Sequence, residues 1–378
     1  MKIGVDARNL VSNMTGIGRY VLEMCRHLAL RGHDLVLYLP EKAHPGYPAI
    51  DGAELRTSHH PGALRRLIWG RTMLPRLAAR DGVDVLWGPA HRLPRRLDPA
   101  VARVVTIHDL TWRHAPSSMR WRGLLADSLL MRGAVEAADR IAADSTATAE
   151  AVAAVFPASR ARIRTVYPGL SAIAAGPSGP SPILLRLGVE APYMLFVGTL
   201  EPRKNLKRLL GAYASLPEEI RARLPLVLAG GQGWGFTDPG SIARRLGIER
   251  SVWLTGYVDD AELHALYRGA RFLAMPSLYE GFGLPIIEAN AAGIPVLTSN
   301  TSSMPEVAGD AALLVDPLDV SSIAAGLERL ACDDGEHARL AARARANASR
   351  FDWAKSAAAI EGVFEEAILA RRFCGNAE

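Results

Sequence analysis

The sequence predicts an α/β protein made of two domains, each built around a parallel β-sheet. With 378 residues, the chain is longer than one hydrophobic core usually serves, so two domains of about 150–200 residues are expected. Short apolar runs bounded by turn residues alternate with helical segments along the chain. This alternation is typical of parallel strands joined by right-handed helical crossovers.

Residues 1–172 are predicted to form the N-terminal, Rossmann-like domain. Its apolar runs predict strands at 2–5, 35–39, 84–87 and 104–107. Helices are expected at about 19–30 and 121–138. This part carries 24 Lys and Arg against 15 Asp and Glu, whereas the rest of the chain carries 20 against 24. The two halves are therefore expected to have different partners.

Residues 173–190 are rich in Pro, Gly and Ser and predict a linker. Residues 191–352 predict a second Rossmann-like domain, with strands at 193–197, 226–229, 252–254, 272–275, 295–297 and 312–315. Residues 353–378 predict a C-terminal amphipathic helix.

Composition and targeting patterns exclude several classes of protein. The chain shows no apolar signal-peptide core and no run of about 18 uncharged apolar residues. Its three cysteines, Cys25, Cys332 and Cys374, lie far apart and predict reduced thiols in a cytoplasmic protein. The positive charge excess is modest and lacks interleaved stacking aromatics, so nucleic acid is not an expected partner.

The segment Glu280-Gly-Phe-Gly-Leu-Pro-Ile-Ile-Glu288 follows the predicted strand 272–275. Gly281 and Gly283 let backbone approach a ligand closely, and Pro285 suits the first turn of a helix. A glycine-containing loop before a helix N-terminus suits a phosphate group, and carboxylates suit sugar hydroxyls. A helix-capping glutamate and a solvated one are the alternative interpretation.

Three further loops carry charged residues or glycines after predicted strands. Arg203 and Lys204 follow Gly198 and suit a diphosphate, unless they form an ordinary surface pair. His108 and Asp109 predict a histidine at the reacting sugar oriented by the carboxylate, or else a helix cap beside an imidazole. The loop 13–19 predicts a weaker anion site.

Taken in order, these segments resemble glycosyltransferase family 4, the retaining enzymes of the GT-B fold. The resemblance runs from Gly16-Ile-Gly-Arg-Tyr20 through His108-Asp109 and Gly198…Glu201-Pro-Arg-Lys-Asn205 to Glu280…Glu288. It also includes Gly230-Gly231, Gly256-Tyr257-Val258 and Pro305…Ala311. It implies two Rossmann-like domains facing across a cleft, the first binding acceptor and the second binding a nucleotide sugar.

The resemblance also implies residue roles. Glu280 contacts the donor sugar, Glu288 the ribose, and Arg203 with Lys204 the diphosphate, while His108 lies near the anomeric carbon beside Asp109. The C-terminal helix is expected to return to the N-terminal domain. The remaining expected donor-binding residues are Gly16, Ile17, Gly18, Gly198, Gly230, Gly256, Tyr257, Val258, Gly281, Phe282, Gly283 and Leu284.

The opening Gly-Ile-Gly-Arg-Tyr and the Met304-Pro-Glu-Val-Ala segment are most similar to those of bacterial mannosyltransferases of polysaccharide and O-antigen assembly. GDP-mannose is therefore the expected donor, with a saccharide or lipid-linked saccharide as acceptor. GDP-deoxysugars, UDP-sugars and TDP-sugars stay open. No metal or other cofactor is expected, because no spaced Asp-x-Asp motif stands in an obvious loop and Asp259-Asp260 suits a helix start.

The segment Leu64–Arg80 mixes apolar and basic residues, and Arg92, Arg95 and Arg96 add to its charge. Such a segment favours peripheral contact with an anionic membrane, at the inner face of the cytoplasmic membrane, or an acceptor carried on a lipid diphosphate. An ordinary helix with solvated arginines is the alternative.

Three other functions remain to be weighed. A nucleotide-sugar epimerase shares the architecture but lacks this ordered motif set. A dinucleotide-dependent oxidoreductase would carry Gly-x-Gly-x-x-Gly after the first strand, which is absent here. A nonenzymatic nucleotide-sugar-binding subunit is disfavoured by the intact charged set.

Overall fold

The computed structural model describes residues 1–12, 15–116, 119, 121–171, 182–190, 192–233, 235 and 238–375, with backbone only at 121, 122 and 373–375. The chain divides into two compact units. Unit 1 comprises Met1–Leu110, Arg122–Gly169 and Asp352–Glu378. Unit 2 comprises Thr111–Trp121 and Leu170–Phe351.

All strands of the described residues belong to two sheets. They are β1 (Lys2–Asp6), β2 (Asp34–Leu39), β3 (Ala53–Thr57), β4 (Val85–Gly88), β5 (Ala102–Ile107), β6 (Arg140–Ala143), β7 (Ile163–Thr165), β8 (Tyr193–Val197), β9 (Leu226–Ala229), β10 (Val252–Gly256), β11 (Ala270–Met275), β12 (Val296–Ser299) and β13 (Ala312–Val315).

The helices alternate with these strands. They are α1 (Gly16–Leu30), α2 (Ala63–Asp81), α3 (Thr111–His114), α4 (Trp121–Ala137), α5 (Thr146–Val155), α6 (Pro182–Leu187), α7 (Leu206–Ala214), α8 (Glu218–Arg223), α9 (Pro239–Leu246), α10 (Asp260–Gly269), α11 (Leu284–Ala291), α12 (Met304–Ala308), α13 (Val320–Cys332), α14 (Asp334–Ala348) and α15 (Trp353–Gly375).

The sheet of unit 1 has seven parallel strands in the order β3-β2-β1-β4-β5-β6-β7. Alternate residues of its central strands enter separate cores on its two faces. Val5 and Trp87 belong to the larger core, whereas Tyr38 and Leu86 belong to the other. Such continuous apolar strands are expected where helices cover both faces of a parallel sheet.

The sheet of unit 2 has six parallel strands in the order β10-β9-β8-β11-β12-β13. The strand order reverses beside β8, so the loops after β8 and β11 lie next to each other at the carboxyl edge. Ligands of open parallel sheets bind at such an edge.

The C-terminal helix α15 belongs to unit 1, where it packs against α1 and β5. Phe364 of this helix is fully buried, and its ring centroid lies 5.8 Å from that of Trp87. Ser356 donates a hydrogen bond of 2.6 Å to the carbonyl oxygen of Tyr167. The helix thus completes the larger core of the N-terminal part of the chain.

The α/β fold class and the ten predicted strands are confirmed, while several bounds differ. Helix α1 begins at Gly16 rather than near Arg19, because the Thr15 hydroxyl accepts a hydrogen bond from the Gly18 N–H and caps it. The short strands β3, β6 and β7 were not predicted, since they are polar or alanine-rich.

Residues 173–181 of the predicted linker, 173–190, lie outside the described residues, and its second half begins with helix α6 instead of continuing as linker. Unit 2 also includes residues 111–121 of the predicted first domain, where His114 stacks on Tyr279 at 5.0 Å between ring centroids. Within the described chain, no helix is both long and apolar enough to cross a membrane.

Replacing Phe364 by alanine should lower the free energy of unfolding of unit 1 by about 3–5 kcal/mol, because it leaves a cavity beside Trp87. Urea unfolding followed by tryptophan fluorescence measures this loss. Leu369→Ala, on the same helix but 51% exposed, is the matched control and should change stability little. Equal small losses for both variants would show that α15 does not complete the core.

Candidate active site

Three glycines mark the carboxyl ends of neighbouring strands in unit 2. The Gly198 N–H donates to the Ala229 carbonyl oxygen at 2.9 Å, and the Gly230 N–H donates to that of Gly256 at 3.0 Å. Gly230 has a φ of 152°, and a Cβ there would collide with the carbonyl oxygen of Gly198. The strand ends approach so closely that no larger residue fits at this position.

Arg203 and Lys204 lie on the short 3₁₀ turn Pro202–Lys204 that follows β8. Asn205 ends this turn in the left-handed conformation, with a φ of 63°. Its buried side-chain amide donates to the carbonyl oxygens of Pro276 at 2.9 Å and Pro317 at 2.7 Å. Asn205 therefore fixes the cationic turn to the loop that follows β11.

Lys204 and Glu280 form a buried ion pair. The Lys204 Nζ lies 2.6 Å from Glu280 Oε1, and the Arg203 guanidinium contacts the other carboxylate oxygen, Oε2. Arg203 also pairs with Glu201 at 2.8 Å and donates to the Tyr279 carbonyl oxygen at 3.0 Å. Two cations and two carboxylates thus form one cluster of ion pairs at the carboxyl edge of the sheet.

This pairing determines the protonation of the site. Burial by itself would raise the pKa of Glu280, but the charges of Arg203 and Lys204 outweigh it and lower that pKa to about 2. Burial lowers the pKa of Lys204, and Arg203 lowers it further, while Glu280 opposes both. Glu280 is therefore a carboxylate at neutral pH and acts as a hydrogen-bond acceptor.

Two serines after β12 hold the glycine loop in place. Ser303 Oγ donates to the carbonyl oxygens of Glu280 at 2.9 Å and Phe282 at 2.8 Å. Ser302 Oγ also contacts the Glu280 carbonyl oxygen. The loop is therefore positioned by side chains 22 to 23 residues further along the chain.

Helix α11 begins directly after this loop. Gly283 is its N-cap with a φ of 105°, a conformation that favours glycine, and Pro285 lies in the first turn. The helix starts at Leu284, so the positive end of its dipole lies beside the loop. Glu288 Oε2 accepts a hydrogen bond of 2.8 Å from the buried Tyr267 hydroxyl.

The remaining predicted donor-binding residues of unit 2 lie at the end of β10 and directly after it. Gly256 has a φ of 71°, Tyr257 is 76% exposed, and Val258 is half-buried. Gly256 joins Gly230 through the hydrogen bond described above. The structure thus brings the predicted residues of this half to one sheet edge.

In unit 1, Gly16, Ile17 and Gly18 form the first turn of α1 instead of a loop before it, while residues 13 and 14 lie outside the described chain. A Cβ at Gly18 would collide with the Tyr47 hydroxyl. This close packing gives Gly18 a structural role in addition to the predicted anion-binding one.

His108 is buried and both of its ring nitrogens face oxygen atoms. Nδ1 lies 2.6 Å from Asp144 Oδ2, and Nε2 lies 2.6 Å from the Pro89 carbonyl oxygen. The carboxylate that orients the ring is therefore Asp144, which the sequence reasoning missed. That role was expected of Asp109, which is half-buried. Contact between His108 Nε2 and a sugar would require displacement of the Pro89 carbonyl group.

The pKa of His108 reflects this environment. Burial lowers it, but Asp144 and the Pro89 carbonyl oxygen outweigh burial and raise it above the usual value. His91, whose ring centroid lies 5.2 Å away, has a pKa lowered to about 4 by burial and by the charge of His108. The two neighbouring imidazoles therefore have pKa values shifted in opposite directions, that of His108 upward and that of His91 downward.

Several of the residues missed carry a detectable sequence signal. Asp144-Ser145 follows the short strand Arg-Ile-Ala-Ala, a weaker signal than the apolar strand before His108-Asp109, and Ser302-Ser303 follows the predicted strand at 295–297. Tyr267 carries no such signal, because only the fold brings a helix residue to Glu288 across 21 positions.

Two Rossmann-like units, one with a pair of cations at the carboxyl edge of its sheet, are the architecture of a GT-B glycosyltransferase. Residues 14–172 match the family described as Glycosyltransferase Family 4, and residues 185–347 match Glycosyl transferases group 1. O-antigen chain mannosyltransferase B of Escherichia coli is 35% identical over 370 residues, covering 93% of this chain and 96% of that protein. The chain belongs to glycosyltransferase family 4 and is a glycosyltransferase.

Solved structures show the same fold. A sucrose-phosphate synthase from Thermosynechococcus elongatus has a TM-score of 0.76 at 19% identity, covering 96% of this chain and 98% of that one. HepE of Anabaena, in complex with UDP and glucose, has a TM-score of 0.70 at 20% identity with the same coverage. The GT-B fold predicted from the motifs is therefore confirmed.

Glu280→Gln should destabilise unit 2 by about 3–5 kcal/mol at neutral pH, because it leaves Arg203 and Lys204 with too little compensating charge. The lowered pKa of Glu280 stabilises the folded state above the usual glutamate value of 4.5, and this contribution disappears as the pH falls towards 2. The stability difference between wild type and variant should therefore shrink over that interval.

Urea unfolding at a series of pH values measures this difference. Glu249→Gln removes an exposed glutamate of the same unit and should change stability little at any pH. A difference for Glu280→Gln that stays constant as the pH falls would contradict the ion pair described here.

Proposed function

We propose that the protein is a retaining mannosyltransferase that moves mannose from GDP-mannose to a saccharide or lipid-linked saccharide acceptor in cell-surface polysaccharide synthesis. The observation that carries this proposal is the similarity to O-antigen chain mannosyltransferase B, which extends along almost the whole chain. The epimerase, oxidoreductase and nonenzymatic alternatives have no comparable support.

The geometry of unit 2 supports a role for Arg203 and Lys204 on the donor diphosphate. Their cationic groups are concentrated at a strand end, and helix α11 adds its positive end beside the glycine loop. Such preorganised groups stabilise the negative charge that develops on a leaving diphosphate. Glu280 would then accept hydrogen bonds from the sugar, and Glu288 from the ribose.

In the proposed reaction, the acceptor hydroxyl forms a bond to the anomeric carbon while the bond from that carbon to the diphosphate oxygen breaks. The hydroxyl proton passes to the departing diphosphate, and attack on the vacated face retains the configuration. His108 is the proposed neighbour of the anomeric carbon. The products are the extended saccharide and GDP.

The central test measures GDP release and acceptor extension with GDP-mannose. Lys204→Met should reduce turnover about 100-fold or more, because it removes a cation that stabilises the leaving group. Lys207→Met removes an exposed lysine three positions away and is the matched control. Circular dichroism of each variant separates lost catalysis from lost folding.

The outcomes of this test discriminate between the alternatives. Release of GDP that requires the acceptor supports transfer, whereas mannose-nucleotide conversion without acceptor would indicate an epimerase. Thermal-shift measurements with GDP, UDP, TDP and ADP sugars identify the base, since selective stabilisation marks the bound nucleotide. Stabilisation by a UDP-sugar alone, or normal turnover of Lys204→Met, would overturn the corresponding part of the proposal.

We further propose that transfer needs no metal ion, because Arg203 and Lys204 supply positive charge at the diphosphate. The rate with GDP-mannose should be unchanged by EDTA or by added Mg²⁺ or Mn²⁺. Loss of activity in EDTA that returns with one divalent cation would contradict metal independence.

We also propose that the protein makes peripheral contact with the anionic inner face of the cytoplasmic membrane. Helix α2 exposes 70% of Leu64 and 51% of Ile68 beside basic residues. Trp69, in contrast, is fully buried, where its Nε1 donates to Ser58 at 3.2 Å, so it is not part of this surface. Leucine and isoleucine would therefore supply the apolar contact.

Co-sedimentation should show stronger binding to vesicles containing phosphatidylglycerol than to neutral vesicles. The double substitution Leu64→Ser and Ile68→Ser should weaken this binding by removing apolar surface. Leu318→Ser, which alters a leucine of unit 2 that is 66% exposed, is the control. Equal binding to both kinds of vesicle would contradict membrane contact.

A further inference from the structure

Unit 1 contains a cavity of about 480 Å³ that the proposed roles leave unused, and its volume is typical of small-molecule sites. Five arginines contribute to its lining: Arg8, Arg71, Arg92, Arg95 and Arg96. Guanidinium groups gathered around one cavity repel one another unless anions lie among them. The cavity therefore has the charge of an anion-binding site.

The fold brings these arginines together from separate segments. Arg8 follows β1, while Arg92, Arg95 and Arg96 follow β4, and these two strands are neighbours in the sheet. Arg71 reaches the cavity from α2. The cavity thus lies at the carboxyl edge of the unit 1 sheet, where open parallel sheets bind their ligands.

Only part of this positive charge is compensated by the protein. Arg8 Nε donates to Asp6 Oδ1 at 2.8 Å, and Arg95 forms an exposed pair with Glu136 at 3.0 Å. Within the described residues, no carboxylate lies at ion-pair distance from Arg71, Arg92 or Arg96. Three guanidinium groups therefore remain for a ligand.

The pKa of Arg92 is lowered by its partly buried position among the other arginines of the cavity. Burial lowers the pKa of Arg92, and the neighbouring guanidinium of Arg8 lowers it further, against the opposing charges of Asp6 and Asp127. The negative charge of a bound anion beside Arg92 would oppose both effects. This electrostatic environment supports the charge count obtained from the geometry.

Two glycines on the flanking helices α2 and α4 leave space for the side chains of Arg8 and Arg95. A Cβ at Gly70 of α2 would collide with the Arg8 guanidinium, and one at Gly133 of α4 would lie 3.0 Å from Arg95 Nε. The Arg8 guanidinium also lies 5.4 Å from the centroid of the Trp69 ring. Arg8 is therefore held by packing against α2, whereas Arg71, Arg95 and Arg96 are exposed residues that line the cavity.

An apolar wall completes the cavity. Leu67 of α2, Leu93 after β4, and Leu129 and Leu130 of α4 line it, and Leu129 is 60% exposed. A small inorganic anion would gain nothing from these leucines. A ligand that joins phosphate groups to a hydrocarbon chain would contact both the arginines and the leucines.

We propose that this cavity binds the diphosphate of a lipid-linked acceptor, with the arginines on the phosphates and the leucines on the first carbons of the lipid. Arginine suits this role because its planar guanidinium donates two parallel hydrogen bonds to phosphate oxygens. The identity of this ligand as the acceptor rests on the proposed function, whereas binding of an alkyl diphosphate in the cavity does not.

The direct test is isothermal titration calorimetry with undecyl diphosphate. Arg71→Gln and Arg92→Gln should each weaken binding about tenfold, as expected when one charge-assisted contact is lost. Arg76→Gln removes an exposed arginine of the same helix that does not line the cavity and should bind as wild type does. Inorganic pyrophosphate should bind more weakly than undecyl diphosphate, because it lacks the chain.

A kinetic test uses one saccharide carried either on undecyl diphosphate or on a neutral undecyl glycoside, with GDP-mannose as donor. Arg71→Gln should raise KM about tenfold for the diphosphate acceptor only, with kcat and the KM for donor unchanged. Equal effects on both acceptors would overturn the proposal, since the arginine would then act through structure.

Three other results would also overturn it: no effect of Arg71→Gln or Arg92→Gln on undecyl diphosphate binding, equal affinity for pyrophosphate, or arginine-dependent binding to phosphatidylglycerol vesicles without binding of undecyl diphosphate. Arginine-dependent binding of undecyl diphosphate without any mannose transfer would support the cavity while refuting the proposed function. Transfer without arginine-dependent binding would do the reverse.

Discussion

The pairing of Glu280 with Arg203 and Lys204 is the constraint on which the second unit depends. Ions removed from water cost several kcal/mol each unless well-placed opposite charges and hydrogen bonds compensate them. The turn after β8 must therefore meet the loop after β11 at hydrogen-bond distance, and Asn205 with Ser303 holds both segments there. Gly198, at the end of β8, leaves room for the Lys204 side chain, since a Cβ there would lie 3.3 Å from Lys204 Cε.

The two units differ in how far carboxylates balance their clustered cations. In unit 2 the buried Lys204 and the half-buried Arg203 are matched by Glu280 and Glu201, so the site is close to electrically balanced. In unit 1 the arginines of the cavity exceed the carboxylates beside them. This contrast follows the charge asymmetry of the sequence and suits an enzyme whose two proposed substrates both carry diphosphates but differ in their apolar parts.

His108 illustrates how a motif can be found before its geometry is understood. Its place after a buried strand predicts a functional imidazole, but the carboxylate that holds it is Asp144, 36 residues away. Asp144 and the Pro89 carbonyl oxygen raise the pKa of the ring and leave neither nitrogen free of an oxygen partner. The proposed role at the anomeric carbon therefore involves more of the loop after β4 than the motif alone indicates.

The sequence by itself determined the α/β class, the ten main strands, the order of the motifs and the family, because apolar periodicity and short motifs are local properties of the chain. Only the tertiary structure decided that α1 begins at Gly16, that Asp144 holds His108, and that Tyr267 binds Glu288. It also gathered arginines from Arg8 to Arg96 around one cavity. These contacts depend on strand order and helix packing, which bring distant residues together without leaving a local pattern.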